Sequence, residues 1–177
     1  KILLVRPAPA PETIGLQHVM LVEPLELETM AAAAGPAHTC RIVDLTLEDA
    51  PLEHFIEAEE PDVLGMTGYI TNVPAMIAAC RMAKHTRPSI ATVVGGVHCE
   101  VVPADLDSDG IDFRVVRNAA TAFPRLLDHI AGTHPVPPGV LKRGEAAVDR
   151  ALPPYDFTYP LPRRDLTRHY WSRYFYV

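Results

Sequence analysis

Five short runs of consecutive apolar, largely β-branched residues recur along the chain, each followed by a stretch with helical spacing. They are Ile2-Leu3-Leu4-Val5, Arg41-Ile42-Val43-Asp44-Leu45, Asp62-Val63-Leu64-Gly65-Met66-Thr67, Ala91-Thr92-Val93-Val94-Gly95 and Ile111-Asp112-Phe113-Arg114-Val115-Val116. Runs that do not alternate apolar with polar are strands buried on both faces, the condition of the central strands of a parallel sheet. Leu25, Leu27, Met30, Ala31 and Ala34 mark a first helix, entered at Pro24 and left at Gly35-Pro36. Leu52, Phe55 and Ile56 mark a short second helix, and Val73, Met76, Ile77, Cys80 and Ala83 a third. Residues 101–106 read as a short fourth helix, and Phe123, Leu126, Leu127 and Ile130 as a fifth. Right-handed crossovers then place helices on both faces of the sheet. The expected fold is α/β: a flavodoxin-like, Rossmann-like, doubly wound parallel sheet of five strands in the order 2-1-3-4-5. Residues 140–143 and 146–148, joined around Gly144-Glu145, read as a small hairpin beyond it.

Composition bounds what such a sheet serves. The chain has 177 residues, 48% hydrophobic and 21% charged, enough for one domain with a real core. No apolar run approaches the roughly 18 residues of a membrane span. A net charge of −6 argues against nucleic acid as a partner. Cys40, Cys80 and Cys99 form neither a disulfide framework nor a CxxC metal pattern, so a reducing, cytoplasmic setting is expected. Eight of the 12 aromatic residues lie at or after Tyr155, and 7 of the 18 prolines at or after Pro135. Residues 1–134 are therefore read as the folded body. Residues 135–177 are read as a Pro-rich extension whose aromatic part must pack on the body or on a neighbouring copy. A chain that begins at Lys1 and ends on Tyr-Phe-Tyr-Val is expected to be a piece of a longer one.

In doubly wound sheets ligands bind beyond the carboxyl ends of the strands, at the point where the strand order reverses. Four loops qualify: Arg6-Pro7-Ala8-Pro9-Ala10-Pro11 running on to Glu23, Met66-Thr67-Gly68-Tyr69-Ile70-Thr71-Asn72, Gly95-Gly96-Val97-His98, and Arg117-Asn118-Ala119-Ala120-Thr121. Several tenants fail there. A phosphoacceptor receiver needs acids after strand 1, where Arg6-Pro7 stands; the Pro-Ala repeat lacks the hydroxyls of a flavin phosphate loop. No GxGxxG follows strand 1 and no GxSxG elbow occurs. What remains is a site of glycines and small residues. Gly68 and the Gly95-Gly96 pair let backbone approach a bulky ligand, or serve only as turn residues. The first loop, about 17 residues, has the length of a functional loop.

Across nearly its whole length the chain resembles the N-terminal cobalamin-binding domain of cobalamin-dependent radical S-adenosylmethionine (SAM) enzymes. The resemblance is carried by Lys1-Ile2-Leu3-Leu4-Val5-Arg6-Pro7, Glu23-Pro24-Leu25-Glu26-Leu27, Ile42-Val43-Asp44-Leu45, Val93-Val94-Gly95-Gly96-Val97-His98 and Phe113-Arg114-Val115-Val116-Arg117. It implies that residues 152–177 lead toward a radical SAM barrel bearing a CxxxCxxC motif, which this chain lacks. The parent would be a methyltransferase, or an oxidoreductase forming rings by radical oxidation, acting on a small-molecule substrate. Its cofactors would be cobalamin, a [4Fe-4S] cluster and S-adenosylmethionine, and its partner domain would lie in cis. A non-catalytic corrinoid carrier or sensor is the alternative, and a degenerate domain kept as a structural partner a third. Two departures stand out. Asn118-Ala119-Ala120-Thr121 replaces the Gly-Glu-Gly-Glu stretch frequent in the family, and no DxHxxG supplies a histidine to cobalt.

The resemblance implies a cofactor-binding set of Pro7, Thr67, Gly68, Tyr69, Thr71, Asn72, Gly95, Gly96, Val97, His98, Arg117, Asn118 and Ala119, with no catalytic residue and no protein metal ligand. Each has an ordinary reading as well. Tyr69 lies beneath a corrin or is a rim aromatic. Thr67, Thr71 and Asn72 bond corrin amides, or Thr71 or Asn72 caps the third helix ahead of Pro74. His98 faces the pocket, or is a solvent histidine or helix cap. Arg117 holds a nucleotide phosphate or pairs with Asp112 or Asp109. Cys99 is a packing residue, since no base is placed beside it.

Overall fold

The computed structural model describes residues 1–9, 19–147 and 151–176. Ala10, Pro11, Val148 and Val177, which entered the reading of the first loop, the hairpin and the tail, lie outside the described residues. In chain order the elements are β1 (Ile2–Arg6), β2 (Met20–Leu21), α1 (Leu25–Ala34), β3 (Cys40–Asp44), α2 (Leu52–Glu59), β4 (Val63–Thr67), α3 (Val73–Thr86), β5 (Ala91–Gly95), α4 (Val97–Val101), β6 (Phe113–Val115), α5 (Ala119–Ile130), β7 (Val140–Lys142) and β8 (Phe175–Tyr176). Tighter 3-10 turns cover Ile70–Asn72, Pro103–Leu106 and Arg164–Arg173.

The main sheet runs β3-β1-β4-β5-β6-β7. Its first five strands are parallel, in the 2-1-3-4-5 order expected from the five apolar runs. The register sets Ile2 beside Cys40 and Val63, and Arg6 beside Asp44. Pleating splits each apolar run between two cores. Leu3, Val5, Leu64, Met66 and Val94 join α2 and α3 on one face; Ile2, Leu4, Val63, Val93 and Val115 join α1 and α5 on the other. Burial of each such side chain stabilises by about 1.5–3 kcal/mol, which is why the strands carry no polar alternation.

Two local expectations change. Among the described residues, 140–143 do not fold back on 146–147. Val140–Lys142 instead pairs antiparallel with β6 and becomes a sixth strand. The buried Arg114 guanidinium fixes this arrangement by donating to the carbonyls of Lys142 (2.7 Å), Glu145 (2.6 Å) and Pro103 (3.0 Å). The fourth helix begins at Val97 rather than 101, because Gly96, at φ +98°, turns the chain into it directly after β5. Pro103 then opens a separate 3-10 turn.

The part of the extension beyond residue 150 divides in two. Its second half packs: Thr167 and Tyr170 are buried against α1 and β3, and the Arg163 N–H donates to the Glu28 carbonyl at 3.1 Å. β8 pairs antiparallel with β2. Its first half turns apolar side chains outward, with Phe157 77% and Leu161 89% exposed.

Candidate functional site

The strand order reverses between β1 and β4, since the chain leaves β1 toward β3 and leaves β4 toward β5. A cavity of about 420 Å³ opens beyond the carboxyl ends of these two strands. That volume is within the ordinary range for a small-molecule site. Pro7, Thr67, Gly68, Tyr69, Thr71 and Asn72 line one part of it; Arg6, Pro9, Thr46, Glu26 and the stretch 20–23 line the rest. Six of the thirteen expected residues are thus brought together.

Their local geometry follows from the turn after β4. The Asn72 side chain does not cap α3. Its Oδ1 accepts the Tyr69 backbone N–H at 3.0 Å and closes the Ile70–Asn72 turn instead. That turn holds Tyr69 outward, 70% exposed at the rim. Gly68 lies so close to Asn72 and Met76 that a Cβ would stand 2.7 and 2.8 Å from them. Glu26 stands in the concave wall with its side chain exposed. Loss of hydration raises its carboxyl pKa above the ordinary value, opposed by a backbone hydrogen bond and by the Arg6 charge.

The other seven residues lie outside the cavity. Gly96 backs it: a Cβ there would meet Thr67 Oγ1 at 2.5 Å and the Gly68 backbone at 3.1 Å. Gly95 is different, because a Cβ would meet only Val115, at an ordinary 3.7 Å. Val97 is exposed beside it. His98 is neither a solvent histidine nor a cap; it is buried, with Nε2 2.9 Å from Asp105 Oδ2. Arg117 pairs with neither Asp112 nor Asp109. Its Nε is 3.4 Å from Glu100 Oε1, and its guanidinium lies 3.7 Å over the Tyr155 ring. Asn118, at φ +51°, clasps the extension: its Nδ2 donates to the Pro154 carbonyl (2.7 Å) and its Oδ1 accepts from Asp156 N–H (2.8 Å). Ala119 follows as the first residue of α5. Cys80 and Cys99 are buried, and burial pushes both thiols up to about 12, so neither is a nucleophile.

A polar hub beneath the cavity was not anticipated. Asp44, fully buried, takes Arg6 in an ion pair and accepts the Tyr174 hydroxyl at 3.2 Å. Tyr170 bonds Glu48, and Thr167 bonds the buried Glu28. One signal for it was available: opposite charges ending two adjacent apolar strands, at paired positions in the register. A larger hollow of about 590 Å³, between α2 and the last turn of α3, is lined by exposed side chains including His54 and His85. Among the described residues no group of three His, Cys, Asp or Glu side chains is placed to hold a metal ion. Nor, among them, is any helix long and apolar enough to cross a membrane.

With this geometry in place, comparison with known proteins is informative. The model of the B12 binding domain matches residues 14–127, a span from the loop after β1 through most of α5. The chain is also 33% identical over 188 aligned positions to the hopanoid C-3 methylase of Methylococcus capsulatus. That match covers 99% of this chain and 35% of the methylase, so the chain spans about a third of the length of the relative. A doubly wound sheet with its cavity at the switch point, matched over most of its length by that domain model, belongs to the B12-binding domain family.

Proposed function

We propose that this chain is the cobalamin-binding module of a cobalamin-dependent radical SAM enzyme, and that the whole enzyme transfers a methyl group. The observation that carries the reading is the cavity at the switch point, floored by the Gly68–Gly96 backbone contact and open along the carboxyl edge. The methylase among the relatives favours methyl transfer over ring-forming oxidation. The residues present fit a large, amide-fringed ligand. Pro7 and Gly68 offer shape without charge, Thr67, Thr71 and Asn72 offer hydrogen-bonding groups, and Gly95 leaves the edge beyond β5 free of a side chain.

When bound, cobalamin supplies a cobalt that accepts and passes on a methyl group, and the protein contributes position and axial environment. Tyr69, exposed at the rim, would be a side chain available to hold the ring. His98 is held by Asp105 and does not serve the cobalt. The [4Fe-4S] cluster, the S-adenosylmethionine and the substrate contacts belong to a radical SAM domain in cis.

Mixing the purified protein with hydroxocobalamin, desalting, and recording the visible spectrum tests the reading. The expected result is roughly stoichiometric retention with the nucleotide base displaced from the metal. Electron paramagnetic resonance of the cob(II)alamin form should then show no hyperfine splitting from an axial nitrogen. Clear splitting would overturn the histidine-free assignment, and absence of retained cobalamin would overturn the reading itself.

A further inference from the structure

We infer that Asp44 is a positioning residue that joins the end of the C-terminal extension to the end of the loop after β1, so that the extension sets one wall of the carboxyl-edge cavity. The contacts form a closed ring. Asp44 Oδ2 holds the Arg6 guanidinium. Arg6 donates from Nη1 and Nη2 to the Val22 carbonyl at 2.8 and 2.7 Å. Val22 directly follows β2, which pairs with β8 through Met20–Tyr176 and Leu21–Phe175. β8 directly follows Tyr174, whose hydroxyl returns to Asp44 Oδ2 at 3.2 Å. The other carboxylate oxygen of Asp44 is held by the Thr46 N–H (3.1 Å) and hydroxyl (2.6 Å), so the carboxylate cannot rotate away.

Two features make this ring a unit rather than a set of neighbours. β2 and β8 have two residues each, too few to persist as an isolated ribbon in water, so their pairing depends on the hub that fixes both ends. A guanidinium also presents a rigid fork that serves a carboxylate and a carbonyl together, which a lysine ammonium does not reproduce. Met20, Leu21 and Val22 line the cavity, whereas Tyr174, Phe175 and Tyr176 do not. A ligand resting on the first three is therefore coupled to residues it does not touch, and the coupling is reciprocal.

The ring itself is tested without ligand, by hydrogen exchange with mass spectrometry on the full chain carrying Arg6→Lys or Tyr174→Phe. Each variant should speed exchange about tenfold or more in both segments, 19–23 and 173–176. A rise confined to one segment, or no rise in either, overturns the proposal. Tyr174→Phe removes a single hydroxyl, so it keeps the test open if Arg6→Lys fails to fold. The ligand arm rests on the cobalamin reading. Hydroxocobalamin should slow exchange at 173–176 in the unmodified protein and bind both variants about tenfold more weakly. Retention of hydroxocobalamin with exchange at 173–176 unchanged overturns the control of the wall by the extension. Failure of the unmodified protein to retain it overturns the cobalamin reading, and the ring is then decided by the first arm.

Discussion

Gly95 and Gly96 are adjacent in sequence and differ in what they demand. Gly96 sits at φ +98°, where a side chain is strained, and a Cβ would be driven into Thr67 and the Gly68 backbone. Gly96→Ala is expected to cost about 1–3 kcal/mol in thermal unfolding. Gly95 has ordinary backbone geometry, and a Cβ there would touch Val115 only at ordinary van der Waals distance, so Gly95→Val should leave the melting temperature within a few degrees. On the cobalamin reading it should nevertheless reduce retained hydroxocobalamin several-fold, because the added methyls occupy the edge the ligand would cover. Equal retention by Gly95→Val and the unmodified protein would remove Gly95 from the site. The buried thiols give a prediction in pH. Cys80 and Cys99 are raised by burial from 9 to about 12 in the folded chain. Between those values the unfolded chain sheds both protons while the native chain keeps them. Stability contributed by these thiols is therefore complete below pH 9 and lost as pH rises toward 12. Urea midpoints should fall with pH across that window, and Cys80→Ala with Cys99→Ala should flatten the fall.

At the scale of elements, β6 shows what a buried charge does for a sheet. Arg114 is 2% exposed in the middle of an apolar strand, and its three carbonyl bonds tie β7, Glu145 and the 3-10 turn at Pro103 to one side chain. Arg114→Met fills similar volume but removes the guanidinium from those carbonyls and the ion pair with Asp107, which keeps the Gly144 N–H. It should lower the urea-unfolding free energy by about 3–5 kcal/mol. A loss below 1 kcal/mol would show that water replaces the guanidinium. The same strand marks where the sequence was legible and where it was not. The order of the five parallel strands could be read because Ile2–Val5 and its counterparts are buried on both faces, which leaves few arrangements open. The addition of β7 could not, because Val-Leu-Lys followed by Arg-Gly-Glu looks equally like the arm of a hairpin; a guanidinium from a distant strand decides it. The cavity loops at Thr67–Asn72 were legible from glycine and position. The wall contributed by Met20–Glu23 was not, since it depends on Arg6 and Asp44 meeting across two strands and on Tyr174 arriving from 130 residues away.

At the scale of the whole molecule, the extension behaves as two segments with different local stabilities. Residues 155–161 touch the body mainly at their start. There Tyr155 stacks under Arg117, the neighbouring Glu100 carboxylate raises the Tyr155 pKa, and Asp156 is held by Asn118. Beyond that clasp Phe157, Tyr159 and Leu161 are exposed. Residues 163–176 are held by Glu28, Glu48, Asp44 and the β2–β8 pairing, with Thr167 and Tyr170 buried. Local opening follows contact density and hydrogen bonding, so a protease should meet the first segment before the second. Limited chymotrypsin digestion is the direct measurement, because both segments carry its preferred residues. Cleavage after Phe157 should precede cleavage after Tyr170, Trp171 and Tyr174, while Pro160 protects the bond after Tyr159. The released 158–177 fragment should still co-elute with the body on size exclusion, since none of its anchors at 163–176 is cut. Early cleavage after Trp171 or Tyr174 would instead make the whole extension one loosely held segment. Phe157→Ser with Leu161→Ser sharpens the distinction. Both side chains already face solvent, so the double variant should change stability by no more than about 0.5 kcal/mol. A larger loss would mean that the outward stripe is covered in solution, by a neighbouring copy at the concentration of the measurement. Dilution would then restore the difference between the two segments.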